Sequence, residues 1–323
     1  MQSSGKYVTI NDIREAARVI DGFVTYCPLV YSPYFSGQTG ENIFFKTENF
    51  QPTKVFKLRG AINKIKSLKN EKKVVTASSG NHGLSVAYAS RVFGKRATIF
   101  VPKWANPDKI KTITSYGAEV VIGGESYEDA YADAIKYCEA ENSEFVHPFE
   151  DPHVIAGQGT IGLEIYENMP EIDAVIVPVG GGGLVSGISV ALKSLSKKAR
   201  VIGVQSENNP AMVEAYHGRD TVISVKESIA DGMITKKASD ITLSIIKKNV
   251  DDMVTVTEEE IEKSLLALLV NDHILVEPSG AASAAYLLHK NELLRSSKNI
   301  AVVLSGGNIN IKYLKMLLGR ETL

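Results

Sequence analysis

Short runs rich in β-branched residues alternate with helical patterns from about residue 73 onward, and this alternation is the feature that most constrains the fold. Strands that alternate with helices in this way build α/β units around a mostly parallel sheet. The chain is therefore expected to belong to the α/β class. The predicted strands are residues 74–76, 97–101, 119–122 and 143–146, and the predicted helices are residues 81–92, 107–116 and 127–140.

A second series of the same kind lies farther along the chain. It begins with an apolar run at residues 174–179, passes through four glycines into a helical pattern, and continues with a strand at residues 201–204. A further predicted strand, residues 299–304, also ends in a glycine-containing loop. Two such series predict two domains, with the early residues crossing from one to the other. We expect a large domain of residues 1–68 and 150–323 and a small domain of residues 69–149.

The charges of this 323-residue chain nearly cancel, with 36 Lys and Arg against 37 Asp and Glu. Because no long basic stripe is present, a nucleic-acid partner is not expected, and the partner should be a small molecule. The richest basic run, residues 64–73, has Ile65 and Leu68 at helical spacing. We interpret this run as the solvated face of a helix.

The two cysteines, Cys27 and Cys138, are far apart and show neither CxxC nor Cys/His spacing. Neither a disulfide framework nor a metal site is therefore predicted, and both thiols should be reduced. The first 14 residues lack a cationic segment followed by an apolar core, and no apolar run approaches the roughly 18 residues of a membrane span. We expect a cytoplasmic protein with no membrane partner.

Four successive glycines, Gly180 to Gly183, stand between a predicted buried strand and a helix. Bare backbone N–H groups at a helix N-terminus attract a phosphate dianion, so this loop is a candidate phosphate cradle. A tight strand-to-helix turn would explain the same glycines without any ligand. The loop lacks the Lys-Ser/Thr of a P-loop and the acidic residue of a dinucleotide fingerprint, so a compact phosphorylated ligand fits better.

Lys57 stands out among several lysines near aromatic residues because small and helix-forming residues follow it. It could begin a helix at a buried position, where desolvation lowers the pKa of an amine and makes it nucleophilic. Spacing alone does not distinguish it from a surface lysine.

Eight motifs occur in order between about residues 43 and 310. They are Lys46-x-Glu48, Gln51-x-Thr53-x-x-Phe56-Lys57-x-Arg59-Gly60-Ala61, Ser78-Ser79-Gly80-Asn81-His82-Gly83, Ile155-Ala156-Gly157-Gln158-Gly159-Thr160, Gly180 to Leu184, Ala230-Asp231-Gly232, Val276-Glu277-Pro278-Ser279-Gly280 and Ser305-Gly306-Gly307-Asn308. Together and in this order they resemble the motifs of the fold-type II pyridoxal 5′-phosphate (PLP) enzymes, in the branch of threonine/serine dehydratases and serine racemases.

This resemblance implies a two-domain, tryptophan synthase β-like fold, each domain an open, mostly parallel sheet flanked by helices. It implies that Lys57 forms the Schiff base with PLP and later acts on the substrate α-proton. The implied cofactor-binding set is Lys57, Phe56 and Gly232 on the two faces of the ring, Asn81 at the 3-hydroxyl, Gly180, Gly181, Gly182, Gly183 and Leu184 at the phosphate, and Ser305 at the pyridine nitrogen. The implied substrate-binding set is Ser78, Ser79, Asn81 and His82 around the carboxylate.

The reaction that the resemblance implies is the deamination of L-threonine or L-serine, giving 2-oxobutanoate or pyruvate plus ammonia. Ser79 leaves a second possibility open, because serine racemases use a serine at this position as the acid/base group opposite the lysine. A hydroxyaspartate ammonia-lyase is a third possibility, although residues 123–134 contain no Lys or Arg for a second carboxylate. β-Replacement by a sulfur nucleophile and a PLP-storing protein without activity are less favoured alternatives.

Four positions depart from the family pattern. Gln205 and Ala211 stand where racemases that bind a divalent cation have acidic residues, so no metal is expected. Lys54-Val55 replaces the usual Gly followed by Ser or Ala before Phe-Lys.

As to assembly, the resemblance implies a homodimer.

Overall fold

The strands of the protein form two separate sheets. The structure, a computed structural model, describes residues 8–69, 72–219, 222–289, 291–294 and 297–320. One sheet has six strands in the order β1-β2-β10-β7-β8-β9, and the other has four in the order β5-β4-β3-β6. The strands are β1 (Leu29–Tyr31), β2 (Asn42–Thr47), β3 (Val74–Ala77), β4 (Ala97–Val101), β5 (Glu119–Ile122), β6 (Glu144–Phe145), β7 (Ala174–Pro178), β8 (Arg200–Ser206), β9 (Asp252–Val256) and β10 (Asn299–Leu304).

Neighbouring strands in both sheets run parallel, apart from the antiparallel pair β1–β2 at one edge of the larger sheet. Every residue of β3, β4 and β7 is buried. Continuous apolar strands of this kind are typical of parallel sheets, because helices cover both faces. The prediction of an α/β fold with two mostly parallel sheets is confirmed.

The helices begin at strong local signals. Capping boxes start α1, α6 and α11, and a proline lies in the first turn of α2, α5 and α7. The helices are α1 (Ile10–Ile20), α2 (Pro33–Thr39), α3 (Lys57–Lys66), α4 (Asn81–Val92), α5 (Pro107–Ser115), α6 (Tyr127–Ala140), α7 (Pro152–Asn168), α8 (Gly183–Leu195), α9 (Ala211–Tyr216), α10 (Asp240–Asn249), α11 (Glu258–Asn271), α12 (Pro278–His289) and α13 (Ile311–Gly319), with 3-10 turns at Glu48–Phe50, Asp231–Met233 and Asn291–Leu294.

Helix α3 packs against the core of the four-stranded sheet on one side and against α7 on the other. Its Leu58 and Ile62 share a core with Val74 and Ile99 of the four-stranded sheet. Its other side crosses α7 so closely that a Cβ added at Gly157 would lie 2.6 Å from the Cα of Gly60. The domain boundaries at residues 68/69 and 149/150 stay a prediction.

Most of the predicted elements lie where the pattern placed them, and the differences are at their ends. The predicted strand at residues 143–146 is shortened to Glu144–Phe145. The interpretation of residues 64–73 as a solvated helix face is wrong where the structure describes it, because α3 ends at Lys66. Lys64 is only 8% exposed, and its amine pairs with Glu144 and Asp151 at 2.8 Å each. Residues 70 and 71 of that run lie outside the described residues.

Candidate active site

Lys57 is the first residue of α3, at the carboxyl end of β10. The Phe56 N–H donates to the Ser305 carbonyl at 3.0 Å, and Val55 forms a β-bridge with Gly306. These contacts fix the chain that enters α3 to the loop that leaves β10. Phe56 and Lys57, which come from one predicted motif, therefore lie beside Ser305 from another.

The Lys57 amine lies among protein atoms and has no carboxylate partner among the described residues. Its Nζ donates to the Pro148 carbonyl at 2.9 Å and lies 5.2 Å from the centroid of the Phe56 ring. Burial lowers the pKa of Lys57 to about 8. Part of the amine is therefore neutral near physiological pH, which is the form that attacks a carbonyl or accepts a proton.

The four glycines 180–183 lead from β7 into the first residue of α8 and are closely surrounded by other segments. A Cβ added at any one of them would lie within 3.2 Å of an atom from another segment, and Gly182 has φ +88°. We name Gly180–Gly183 the glycine loop. Gly182 makes no side-chain cap for α8, so the first N–H groups of that helix need other acceptors. These bare donors at a helix N-terminus are suited to a phosphate.

A chain of contacts runs from Lys57 to the glycine loop. Phe149 follows Pro148, the partner of the Lys57 amine, and its ring packs against Gly181 at the position a Cβ would take. Gly180 in turn approaches the Gly232 carbonyl, which a Cβ would meet at 3.2 Å. The predicted phosphate-binding loop therefore lies on one side of Lys57, with Gly232 next to it.

The contacts continue from Gly232 back to Lys57. A Cβ at Gly232 would lie 4.0 Å from Asn81 Nδ2, and this amide donates to Glu277 Oε1 at 2.6 Å. Glu277 packs on Gly306, the neighbour of Ser305, and Ser305 holds Phe56. The predicted cofactor residues from five separate segments are thus linked by one closed series of contacts.

Asn81 has a fixed orientation because two neighbours use its amide. Its Nδ2 donates to Glu277, and its Oδ1 accepts from Asn308 Nδ2 at 2.8 Å. Burial, followed by the charge of Asp231, raises the pKa of Glu277 to about 7, while the Asn81 hydrogen bond and Lys109 oppose the rise. In the sequence Glu277 is recognisable only as part of a motif, and its hydrogen bond with Asn81 could not be predicted.

The serine loop, Ser78–Gly80, precedes α4 at the carboxyl end of β3. Ser78 is anchored by its N–H to the Phe100 carbonyl, and its Oγ accepts from the Gly80 N–H at 3.3 Å. Ser79 is half-buried beside it. Their hydroxyls and the N–H groups at the start of α4 are donors of the kind that bind a carboxylate.

His82 differs from the expectation in the role of its ring. It is 3% exposed, and its Nε2 lies 2.9 Å from the Val146 carbonyl, so this nitrogen carries the proton. Burial, together with the charge of Lys57, lowers the pKa of His82 to about 3 and keeps the ring neutral. The ring N–H is therefore committed to Val146, and only the main-chain N–H of His82 is left to bind a carboxylate.

A buried ionic cluster behind Lys57 was not predicted. The Arg59 side chain is not exposed, and it donates five hydrogen bonds, two to Glu48, two to Glu164 and one to Thr160. Burial alone would lower the pKa of Arg59, but the two carboxylates raise it overall. Lys46 donates to Glu164 and to the Cys27 carbonyl. Motifs with Lys46, Glu48 and Arg59 were visible in the sequence, but not their association.

The remaining sequence predictions concern Gln205, the two cysteines, metal binding and membrane spans. Gln205 Oε1 accepts from the Met212 and Val213 N–H groups at 2.9 Å each, and so caps α9. Both cysteines are free thiols. Within the described ranges, no three His, Cys, Asp or Glu residues cluster as metal ligands would. No helix in the same ranges has the length and apolar character needed to cross a bilayer.

The donor groups that these contacts bring together fit PLP. Lys57 offers an amine of lowered pKa for the aldehyde, and the glycine loop offers bare N–H groups for the phosphate. Ser305 is 4% exposed and offers a neutral hydroxyl, while Asn81 offers an oriented amide. These groups come from separate elements and have no common structural purpose without a ligand.

Comparisons with known proteins agree with this fit. The chain is 44% identical over 317 residues to the L-threonine ammonia-lyase of Thermotoga maritima, covering 97% of this chain and 79% of that protein. It is 39% identical to the catabolic L-threonine dehydratase TdcB of Escherichia coli K12, covering 97% and 96%. The solved structure of maize serine racemase superposes with a TM-score of 0.92 at 31% identity, covering 97% of each chain. Residues 20–306 match the profile described as "Pyridoxal-phosphate dependent enzyme", and the chain belongs to this family.

Proposed function

We propose that the protein is a PLP-dependent ammonia-lyase that converts L-threonine to 2-oxobutanoate and ammonia, and L-serine to pyruvate and ammonia. The observation that carries the proposal is the Lys57 amine, whose pKa is lowered to about 8 and whose segment is linked by contacts to the glycine loop, Asn81 and Ser305. The relatives named L-threonine ammonia-lyase and L-threonine dehydratase support this choice of reaction.

The proposed cofactor residues divide the binding task. Lys57 attaches the aldehyde, Phe56 and Gly232 flank the ring, and Asn81 donates to the 3-hydroxyl. The glycine loop and the Leu184 N–H hold the phosphate, and Ser305 faces the pyridine nitrogen. When bound, PLP supplies an electron sink for the negative charge left on the substrate Cα.

The substrate carboxylate is proposed to lie at the serine loop and the start of α4. Ser78 and Ser79 supply hydroxyl donors there, while Asn81 and His82 supply main-chain N–H groups. This placement leaves the Cα proton for Lys57, whose neutral amine is a suitable base because its pKa lies close to physiological pH. The β-hydroxyl then departs as water, taking up one proton in exchange for the one that Lys57 removes from Cα, and hydrolysis of the released enamine gives the 2-oxo acid and ammonia.

The attachment of PLP is tested by the visible absorbance of the purified chain. We expect Lys57→Ala to abolish the absorbance of the lysine-bound cofactor and the deamination of threonine. Lys54→Ala is the matched control, because Lys54 is an exposed lysine three positions earlier and should retain both. An unchanged spectrum in Lys57→Ala would contradict the assignment of the attachment site.

A second candidate function is serine racemisation, which Ser79 and the similarity to maize serine racemase favour. Racemisation needs an acid/base group on the face of Cα opposite Lys57, and Ser79 has the hydroxyl for it. A parallel assay of L-threonine, L-serine and L-threo-3-hydroxyaspartate should read the 2-oxo acid, with chiral analysis of the remaining serine. D-Serine that accumulates faster than pyruvate would overturn the choice of ammonia-lyase.

Ser79→Ala separates the two reactions in one variant. Under the proposal it removes any racemisation and leaves the kcat of elimination largely intact, because elimination needs a base on only one face of Cα, while the loss of one carboxylate donor raises the KM for both reactions. Ser78→Ala is the matched control, since it removes a neighbouring hydroxyl on the same loop. Loss of pyruvate formation in Ser79→Ala alone would mean that Ser79 acts in elimination itself.

The surroundings of the proposed site favour threonine or serine over hydroxyaspartate. Tyr131 packs against Phe145 and His147, and His147 packs against Phe149, which covers the glycine loop. Burial lowers the pKa of His147 and so disfavours its cationic form. A neutral aromatic wall accommodates a methyl group better than a second carboxylate. The hydroxyaspartate arm of the assay tests this preference.

Assembly and location are part of the same proposal. We infer that the chain works as a homodimer in the cytoplasm, as its family resemblance implies. Sedimentation equilibrium of the purified chain would give twice the 35.1 kDa chain mass. A mass equal to one chain would contradict the dimer, and activity in a membrane or extracellular fraction would contradict the location.

A further inference from the structure

Thr242 in α10 makes direct contact with the glycine loop. Its side chain is not exposed, and its Oγ1 donates to the Gly181 carbonyl at 2.8 Å. A Cβ added at Gly182 would lie 2.9 Å from both Cβ and Oγ1 of Thr242. The hydroxyl of a residue about 60 positions farther along the chain is therefore bonded to the backbone of the loop.

The bond to the Gly181 carbonyl determines where the next N–H points. In a trans peptide the carbonyl and the following N–H point in opposite directions within one plane. Because the Gly181 carbonyl is directed at α10, the Gly182 N–H is directed away from it, toward the free side of the loop. Thr242 thus controls the orientation of the Gly182 N–H donor.

Two successive glycines need a contact from another segment to fix the orientation of the peptide between them. Glycine adopts positive and negative φ about equally well, so the backbone preferences of Gly181 and Gly182 do not by themselves fix the orientation of the peptide between them. The rotated peptide would present its carbonyl oxygen where the N–H had been. An oxygen atom facing a phosphate dianion is repulsive, whereas an N–H forms a charge-assisted hydrogen bond.

We propose that Thr242 is a positioning residue for the phosphate of PLP, acting through the Gly181–Gly182 peptide. The inference rests on the proposed role of the glycine loop as the phosphate site. It goes beyond that role by assigning a function to a side chain in another helix. Thr242 contributes to the part of cofactor affinity that depends on the phosphate, and not to attachment at Lys57.

The test compares PLP with pyridoxal, which has the same aldehyde and ring but no phosphate. The full chain, stripped of cofactor, is titrated with each compound, and the visible absorbance of the lysine-bound form gives two dissociation constants. Their ratio is the phosphate preference of that variant. Because both constants come from the same protein, a general loss of stability affects them alike and cancels in the ratio.

Two variants at the site and one control complete the design. Thr242→Val keeps the shape of the side chain and removes the hydroxyl, while Thr242→Ser keeps the hydroxyl. Thr98→Val is the control, since it removes another buried hydroxyl, one that bonds Glu119 at 3.2 Å in the four-stranded sheet.

We expect Thr242→Val to lower the phosphate preference about tenfold or more, the effect of losing one hydrogen bond to a charged group, while the affinity for pyridoxal stays within about twofold. Thr242→Ser and Thr98→Val should keep the wild-type ratio. An unchanged ratio in Thr242→Val, or an equal loss of affinity for both compounds, would overturn the inference and leave the proposed function intact. A wild-type chain that binds pyridoxal as tightly as PLP would instead overturn the phosphate assignment of the glycine loop.

Discussion

The glycine loop and the serine loop have the same topology but are packed very differently. Each follows a buried parallel strand and precedes a helix, β7 and α8 in one case and β3 and α4 in the other. Around the glycine loop, a Cβ at any position would meet another segment within 3.2 Å. At Gly80 of the serine loop, a Cβ would meet nothing within 4 Å, and Gly80 and Asn81 line a cavity of about 310 Å³.

This difference separates two tasks of the proposed enzyme. A cofactor that stays bound needs a cradle whose donors are held in place, and Phe149 and Thr242 hold the glycine loop from different segments. A substrate that enters and leaves at every turnover needs an open side, and the serine loop provides one. Similar strand-loop-helix units therefore serve different ligands through the contacts around them.

The largest expected difference between the surroundings of Lys57 and those of the serine loop lies in their ion pairs. Arg59 lies behind Lys57, unexposed, and donates five hydrogen bonds. Arg59→Met should lower the free energy of unfolding by about 3–5 kcal/mol, because Glu48 would remain buried without Arg59 and Glu164 would keep only its ion pair with Lys46. Arg59→Lys should lose less, since it keeps the charge but not the paired contacts. Urea denaturation measures both.

The matched control lies beside the cavity at the serine loop. Lys109 pairs with Asp231 at 2.7 Å, but the two side chains are 35% and 58% exposed. Lys109→Met should change the free energy of unfolding by less than about 1 kcal/mol, because water screens this pair. Equal effects of Arg59→Met and Lys109→Met would contradict the distinction between the two sides.

Glu277 connects helix α4 with the loop that follows β10, since it accepts a hydrogen bond from Asn81 and packs on Gly306. Its pKa of about 7 in the folded protein exceeds the ordinary value of 4.5 for a glutamate, so between these pH values the folded state retains a proton that the unfolded state has lost. The contribution of Glu277 to stability therefore falls as pH rises through this window. From pH 5 to pH 8 the wild type should lose about 2–3 kcal/mol relative to Glu277→Gln.

Glutamine is suitable for this comparison because its Oε1 still accepts from Asn81. Urea denaturation of the cofactor-free wild type and Glu277→Gln at both pH values gives the difference directly. A difference in stability that does not change with pH would show that Glu277 ionises normally in the folded protein.

The sequence was sufficient for those parts of the fold that local pattern encodes. Strand β4 and helices α4 and α6 lie where the pattern placed them, because a short apolar run or an amphipathic period is a local property. Strand β2 was not predicted. It owes its place to parallel pairing with β10, more than 250 positions away, and no local pattern records that pairing.

The site divides in the same way. Lys57 and the glycine loop could be predicted because their motifs are contiguous and resemble those of a known family. Arg59 and Lys64 could not be predicted as buried, since a charged residue in a sequence is by default a surface residue. Their burial depends on partners such as Glu164 and Asp151, which come close only when the chain is folded.

A smaller effect is expected from adding one methyl group to each loop. At Gly181 the new Cβ would lie 2.3–2.5 Å from three atoms of the Phe149 ring, so either the ring or the loop must move. Gly181→Ala should weaken PLP binding about tenfold, the result of roughly 1–3 kcal/mol of overpacking. Gly80→Ala meets no neighbour and should stay within about twofold of wild type. Titration of the stripped chains with PLP compares the two, and equal affinities would contradict the difference in packing.

The smallest effect concerns backbone strain in the turn that leads to Lys57. Lys54 has φ +60°, a conformation that costs an L-residue with a Cβ about 1–2 kcal/mol. It is held there because its N–H donates to the Gln51 carbonyl and its own carbonyl accepts from the Gly307 N–H. Lys54→Gly removes the Cβ but gains entropy in the unfolded chain, so we expect a net stabilisation of about 0.5–1 kcal/mol. Lys54→Ala keeps the Cβ and should bring no such gain. A thermal unfolding midpoint raised equally in both variants would locate the effect in the lysine side chain and not in the backbone of the turn.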